Sequence, residues 1–269
     1  MKRLLIVGFG DIARRAAAAL AQRFLIAKLS REYGMDLDRP ERLKVDEVDA
    51  VLHCAPPPAS GERDTRTANL LAALPSTPQR IVYISTSGVY GDCGGERIDE
   101  TRPLNPQTAR ARRRVDAEDQ LRQFKPVILR APGIYAAERL PLERLRAGTP
   151  VLRAEDDVYT NHIHADDLAA VALRALEDDA PAGIYNVADD SELRMGDWMD
   201  LVARYAGLPC PPRRSRDDIA REVPANLLSF MSESRRLDNR RMKTVLGVRL
   251  RYPTVHEGLK HEQHTVGID

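Results

Sequence analysis

The sequence predicts a doubly wound, Rossmann-type α/β fold: a parallel sheet with helices on both faces, and a smaller C-terminal α/β lobe. Two observations carry this. An apolar run of strand length at residues 4–7 stops at Gly8 and Gly10, and an alanine-rich run of helix length, residues 13–22, follows at once. Further apolar runs at 24–29, 50–55, 80–85 and 184–188 are spaced widely enough for connecting helices. The fingerprint Gly8-x-Gly10-x-x-Ala13 suits a dinucleotide. Gly8 allows a sharp turn, Gly10 lets the backbone approach a pyrophosphate, and Ala13 lets the helix pack on the strand. The free N–H groups of the first helical turn then face the anion.

The remaining elements follow in order. About twenty residues past the glycines, an acid would hold the adenosine ribose of NAD. After the strand at 24–29, that place holds Ser30 and Arg31, with Lys28 nearby. A hydroxyl and a cation suit a 2′-phosphate, so NADP is expected over NAD. Residues 35–38 read as a short third strand, and Pro40 as the start of a short helix. The strand at 50–55 is stopped by Pro56-Pro57-Pro58, a helix spans 62–74, and 80–85 is the next strand. Asp11, inside the glycine turn, reads as a helix N-cap whose charge points outward. Further on, 165–177 is a helix with one apolar face, 184–188 closes the sheet, and 195–206 is a helix with Trp198 and Leu201 inward. The arginine-rich stretch from Pro209-Cys210-Pro211-Pro212 to residue 222 reads as a flap near the cleft, and 234–246 and 255–263 as the last helices. These assignments give a dinucleotide-binding core at 1–133 and 165–190, and a substrate lobe at 134–164 and 191–269. The ligand is expected at the C-terminal ends of the strands, between the two.

The strand at 80–85 runs into Ser85-Thr86-Ser87-Gly88-Val89-Tyr90-Gly91-Asp92. Then come Asp99-Glu100-x-x-Pro103-x-x-Pro106, Leu129-Arg130-Ala131-Pro132-Gly133-Ile134-Tyr135, Asn161-His162-Ile163-His164-Ala165-Asp166-Asp167 and Gly183-Ile184-Tyr185-Asn186-Val187. With these motifs in this order, the chain resembles, over nearly its whole length, the extended short-chain dehydrogenases/reductases. This is the NAD-dependent epimerase/dehydratase group, and the likeness extends to its atypical bacterial YeeZ-like subgroup. The resemblance implies a cofactor lying along Gly8, Phe9, Gly10, Asp11, Ile12, Ala13, Ser30, Arg31, Asp36 and Leu37. It continues past Cys54, Ala55, Pro56, Ser85, Arg114, Pro132 and Gly133. The substrate would meet Thr86, Ser87, Arg110, Tyr135, Asn161 and His162. The helix at 62–74 and the one after Pro106 would form the four-helix bundle of a homodimer.

Members of the group typically use a Ser/Thr hydroxyl, a Tyr acid/base and a Lys one helical turn later. By the resemblance, the hydroxyl falls on Thr86. The pattern Glu-x-x-Pro-x-x-Pro-x-x-x-Tyr-x-x-x-Lys-x-x-x-Glu falls on Glu100, Pro103, Pro106, Arg110, Arg114 and Glu118. Arginine stays protonated and has no lone pair to accept a proton, so Arg110 cannot act as the base. Arg114 keeps a cation near ribose or phosphate. The implied catalytic set is Thr86, Arg110, Arg114 and Tyr135, with Tyr135 standing in as acid/base and Asp92, His162 and His164 as other candidates. Two cations in one cleft suit a small or sugar-like substrate carrying carboxylate or phosphate. A non-catalytic dinucleotide-binding sensor or scaffold competes with this reading. More remotely, the run Arg110, Arg112, Arg113, Arg114 and Arg122 suggests an anionic-polymer binder. The following acids Asp116, Glu118 and Asp119 instead favour a solvated helix with i,i+4 pairs.

Composition narrows the field. The 269 residues carry a net charge of +1, which argues against a dedicated nucleic-acid binder. There is no apolar run of the roughly 18 residues a membrane span needs, and no signal-like apolar core after Met1-Lys2-Arg3. Cys54, Cys93 and Cys210 form no CxxC pair and read as reduced thiols of a cytoplasmic protein. His261-Glu262-Gln263-His264 lacks the HExxH spacing and reads as a polar tail without a metal.

Overall fold

A computed structural model describes residues 1–266, without the side chains of 225, 226 and 263–266. The chain begins β1 (Lys2–Val7), α1 (Asp11–Ala21), β2 (Phe24–Leu29), β3 (Ala50–His53), α2 (Thr65–Ala73) and β4 (Arg80–Thr86). Next come β5 (Arg97–Ile98), α3 (Ala109–Leu121), β6 (Val127–Ala131), β7 (Gly133–Tyr135), α4 (Leu142–Arg146), β8 (Val151–Leu152), β9 (Tyr159–Thr160) and β10 (His162–His164). After α5 (Ala165–Ala175) and β11 (Gly183–Asn186) follow β12 (Leu193–Arg194), α6 (Met195–Tyr205), β13 (Arg213–Arg214), α7 (Arg216–Glu222) and α8 (Ala225–Phe230). The last elements are β14 (Arg236–Leu237), α9 (Arg240–Thr244) and α10 (Val255–Val266). No helix among the described residues is long and apolar enough to cross a membrane.

Six strands form one sheet in the order β11-β6-β4-β3-β1-β2, and every pair in it is parallel. The chain winds outward from β1 to β2, then crosses back to lay β3 on the other side of β1. The switch point therefore lies between the C-terminal ends of β1 and β3, where a doubly wound sheet opens a crevice. There Val7 O accepts from both Cys54 N and Ala55 N, at 2.8 and 2.9 Å. Helix α1 turns Ile12, Ala13, Ala16 and Leu20 inward, and these join one core cluster with α5 and the sheet.

Several elements differ from the sequence reading. Residues 35–38 form no strand: Asp36 Oδ1 accepts from Asp38 N, and the chain turns there. The expected helix at 62–74 starts only at Thr65, because the Asp64 carboxylate accepts from Arg66 N and Thr67 N and caps it. The arginine-rich stretch before residue 222 is no flap. It forms β13, paired with β8, and α7, whose Ile219 is fully buried. The helix expected over 234–246 is reduced to α9, since residues 236–237 pair with β5 as a strand. Met242, Leu246 and Val248 pack into the central core, so part of the segment assigned to the lobe belongs to the sheet layer.

The last helix expected over 255–263 forms as α10, and the residues read as a polar tail are part of it. Glu262 is buried and accepts from His164 Nε2 at 2.7 Å, while His164 Nδ1 accepts from Asp166 N and caps α5. The side chains of Gln263 and His264, also in that expected tail, lie outside the described residues.

Candidate functional site

Two depressions meet at the switch point. The smaller, about 380 Å³, lies beside the glycine turn. The larger, about 690 Å³, is a cleft under α3. Pro56 lines both.

The glycine turn is built as its sequence requires. Gly8 has φ +83°, and a Cβ there would sit 2.6 Å from Ala55 N. Any side chain would thus be strained in conformation and driven into backbone. Gly10 has an ordinary φ of −88° and is the N-cap of α1. A Cβ on it would meet nothing within 4 Å. The protein's own packing therefore does not demand the second glycine, and the open space above it fits an approaching phosphate. Ile12 and Ala13 bury their side chains and offer only backbone N–H groups.

Asp11 is the first residue of α1 and not its N-cap. Its Oδ1 accepts from Arg15 Nε at 2.7 Å and its Oδ2 from Arg139 Nη1 at 2.9 Å. Its charge is held between two guanidiniums.

The smaller depression holds most of the expected adenosine-side residues: Phe9, Ser30, Arg31, Asp36, Leu37, Cys54 and Ala55. The Ser30 hydroxyl is buried and has no hydrogen-bond partner among the described residues. Arg31 is drawn toward Asp36 and Asp38, at 3.0 and 2.7 Å. The Lys28 ammonium stands 4.1 Å from the Phe9 ring centroid and 4.6 Å from that of Tyr33. Burial pushes the Cys54 thiol up to about 12, so it stays protonated.

The cleft is an arginine site. Arg110, Arg113, Arg114, Arg139 and Arg235 line it, with Glu233 as the one carboxylate among its lining residues. Glu233 is paired with Arg235 at 2.8 Å. Residues 110, 113 and 114 come from α3, whose N-cap Thr108 accepts from Ala111 N at 3.1 Å. The solvated helix with i,i+4 pairs is not what forms. Arg113 is buried and donates to the carbonyls of Gly61 and Ala59. Arg114 Nη1 donates to Tyr83 Oη and to Ile84 O, both at 2.9 Å. Arg110 lies with its guanidinium carbon 4.4 Å from the Phe230 centroid. Burial, with Arg114 and Arg113 adding repulsion against the pull of Glu233, lowers its pKa. It nonetheless remains a cation.

Thr86 ends β4, lines the cleft, and accepts from Gly88 N at 3.2 Å. Ser87, Pro132, Gly133 and Asn161 also line it. The Asn161 amide is engaged by the backbone of Arg235 and Leu237. Ser85 faces the interior instead, donating to Glu118 Oε1 at 2.6 Å. Glu118 in turn receives Arg130 Nη2 at 2.6 Å, and both partners are 3% exposed.

The structure corrects Tyr135 and His162 as cleft residues. Tyr135 is 1% exposed, its Oη reaches Thr254 O at 3.4 Å, and its ring packs edge-on against Trp198. His162 stacks 4.3 Å from Trp198, and burial drops its pKa to about 3. The alternation of β7 and β10 turns both rings into the lobe core. Asp92 Oδ1 accepts from Gly94 N and Ser234 N, and His164 is a buried helix cap, so neither opens to the cleft. Sequence reasoning missed Arg139, Tyr159, Phe230, Glu233 and Arg235 in the lining. Arg139 follows Tyr135 closely enough to have been considered. The others arrive on segments remote in sequence, with no local motif.

A sequence profile described as the NAD dependent epimerase/dehydratase family matches residues 28–188. Protein YeeZ of Escherichia coli K12 is 29% identical over 187 residues, 68% of this chain and 62% of that protein. The chain thus spans about three-fifths of the length of that relative. A 3-diazoavenalumate denitrifying reductase from a Streptomyces species is 28% identical over 74% of this chain and 70% of its own. The structure of a functionally unknown conserved protein from Silicibacter pomeroyi superposes with a TM-score of 0.82. It is 30% identical, covering 98% of this chain and 99% of that one.

Proposed function

The chain belongs to the NAD dependent epimerase/dehydratase family, and from that premise we propose that it is an NADP-preferring, oxidoreductase-like protein acting on a small or sugar-like anionic substrate. The observation that carries the substrate class is the cleft's charge: five arginines against one carboxylate, itself ion-paired. A guanidinium meets carboxylate or phosphate in a bidentate geometry that a neutral substrate cannot return. Arg110, stacked on Phe230 and bonded to no carboxylate in the cleft, is the foremost of these cations.

The dinucleotide fits the residues present. The open face of Gly10 and the N–H groups of Asp11 and Ile12 suit its pyrophosphate. The unpartnered Ser30 hydroxyl and the adjacent Arg31 support a 2′-phosphate there, and hence NADP over NAD. When bound, the dinucleotide supplies a hydride donor or acceptor. Around it, Thr86 is the hydroxyl nearest the family's role of holding a substrate oxygen. Arg114 holds a positive charge where the family places lysine. Arg110 stands where the family places its acid/base tyrosine and takes no proton, so the usual hydride-transfer mechanism lacks its strong base. Loss of such a group costs about 10²–10⁴-fold in rate. A cytoplasmic location belongs to the same reading.

An arginine at position 110, which cannot accept a proton, also favours a second reading, a non-catalytic dinucleotide-binding sensor. Titration of the protein with NADPH and NADH, followed by single-turnover hydride transfer across a panel of small carboxylate- and phosphate-bearing carbonyl compounds, separates the two. Tight NADPH binding with turnover supports the first reading. Binding without turnover on any compound selects the second, and binding of neither dinucleotide overturns both.

A further inference from the structure

We propose that Arg139, a residue of the substrate lobe, is a pyrophosphate-binding residue, and that Asp11 exists to hold it there. The inference rests on the dinucleotide reading above and adds a contact that the glycine fingerprint does not contain.

Asp11 is the difficulty from which it starts. A carboxylate on the first residue of α1 stands beside the N–H groups that would receive an anion, and alone it would repel one. In the structure it is not alone. Its Oδ2 accepts from Arg139 Nη1 at 2.9 Å and its Oδ1 from Arg15 Nε at 2.7 Å. These two guanidiniums are not equivalent. Arg15 is also bonded to Asp166, at 2.5 Å, and to Glu138, so three carboxylates occupy it. Arg139 has Asp11 as its one carboxylate partner among the described residues. One of its five N–H donors is engaged by Asp11. Its side chain, 38% exposed, lines the cleft beside Pro132 and Gly133.

The charge count gives the same answer. Without Arg139, the carboxylates of Asp11, Glu138 and Asp166 would all share the one guanidinium of Arg15. With it, the acid next to Gly10 is paired, and a guanidinium with further N–H donors is held at the residue that follows Gly10. Asp11 thus turns from an obstacle into a positioning residue. Arg139 sits on a single 3₁₀ turn, Ala137–Arg139, whose Glu138 is also anchored to α1 through Arg15. Cofactor binding would then grip the lobe through the same turn.

The test has an inverted sign that a simple repulsion does not share. Isothermal titration is run with NADPH and with adenosine 2′-monophosphate, which carries the 2′-phosphate but no pyrophosphate. Arg139→Gln is expected to weaken NADPH about tenfold or more and to leave adenosine 2′-monophosphate unchanged. Arg139→Lys, keeping the charge without the fork, should fall between. Asp11→Asn in an otherwise wild-type chain is expected to weaken NADPH severalfold, although it removes a negative charge. In the Arg139→Gln background the same change should be neutral or tighten binding. Melting temperatures of the ligand-free variants report whether the fold is intact. The proposal is overturned if Arg139→Gln leaves NADPH affinity unchanged, if it weakens both ligands equally, or if Asp11→Asn alone tightens NADPH. A wild-type chain that binds neither NADPH nor NADH overturns the dinucleotide reading itself, and this proposal with it.

Discussion

The depression beside the glycine turn and the cleft under α3 lie end to end along the same strand termini, yet they hold their shape by different means. The first is made mostly of backbone. Val7 O ties β1 to residues 54 and 55, Gly8 bends because nothing larger fits against Ala55, and the helix offers N–H groups. The second is made of side chains. Arg113 threads onto the carbonyls of 59 and 61, Arg114 braces Tyr83, and Arg110 leans on a phenyl ring brought by another element. A site made of backbone keeps its ligand class while its side chains change. A site made of side chains can change its chemistry with one or two substitutions.

If that contrast is right, mutations should separate the scaffold under the cleft from the residues facing into it. The largest effect is expected behind the cleft floor. Glu118→Ala leaves Arg130 charged, buried and unpaired, and should cost about 3–5 kcal/mol in urea unfolding. Next is the glycine turn. Gly8→Ala should cost about 2–4 kcal/mol from strain and the clash with Ala55, and dinucleotide binding should fall with it. Gly10→Ala should leave stability within about 0.5 kcal/mol while weakening the dinucleotide. Equal stability losses for the two glycines would break the distinction drawn between them.

Acid sensitivity probes the buried histidines. Burial drives His53 and His162 from 6.5 to about 3, so the folded chain keeps both neutral. Below about pH 6.5 the unfolded chain takes up protons that the folded one refuses. Stability is therefore full above that pH and falls as pH drops toward 3, by about 1.4 kcal/mol per pH unit per histidine. Replacing His162 with Phe should remove one proton from that slope, read from unfolding free energies across the range. Arg110→Met should shift stability by under about 1 kcal/mol either way, because its guanidinium braces nothing in the core. Its affinity for carboxylate and phosphate ligands should drop nonetheless. An Arg110→Met variant with wild-type affinity for every anion tested would remove the main support for an anionic substrate.

Legibility in the sequence follows the same division. The parallel, doubly wound sheet and the glycine turn were readable because apolar periodicity and turn chemistry are local. Thr86, Arg110 and Arg114 were placed by the family pattern; Arg113, read as part of a solvated run, was not. Nor was the interior of the site readable. Ser85, Tyr135 and His162 sit on strands where neighbouring residues face opposite ways, and spacing alone does not say which way is inward. Residues 35–38 look like a strand, but Asp36 folds its carboxylate back onto Asp38 N. Glu233 and Arg235 reach the cleft from a stretch whose own sequence carries no signature, so only the folded lobe brings them there.

Helix α10 closes over both parts of the molecule. Gly258 lies against the Tyr135 ring, where a side chain would strike the phenol oxygen. Glu262 holds His164, the cap of α5, and Asp167 at the start of α5 accepts from Arg251 N and Tyr252 N. Residues 251–262 thus fasten a helix that packs against the sheet to the aromatic centre of the lobe. The two should therefore melt in one cooperative transition, and a chain ending at residue 250 should lose tertiary structure in both parts at once.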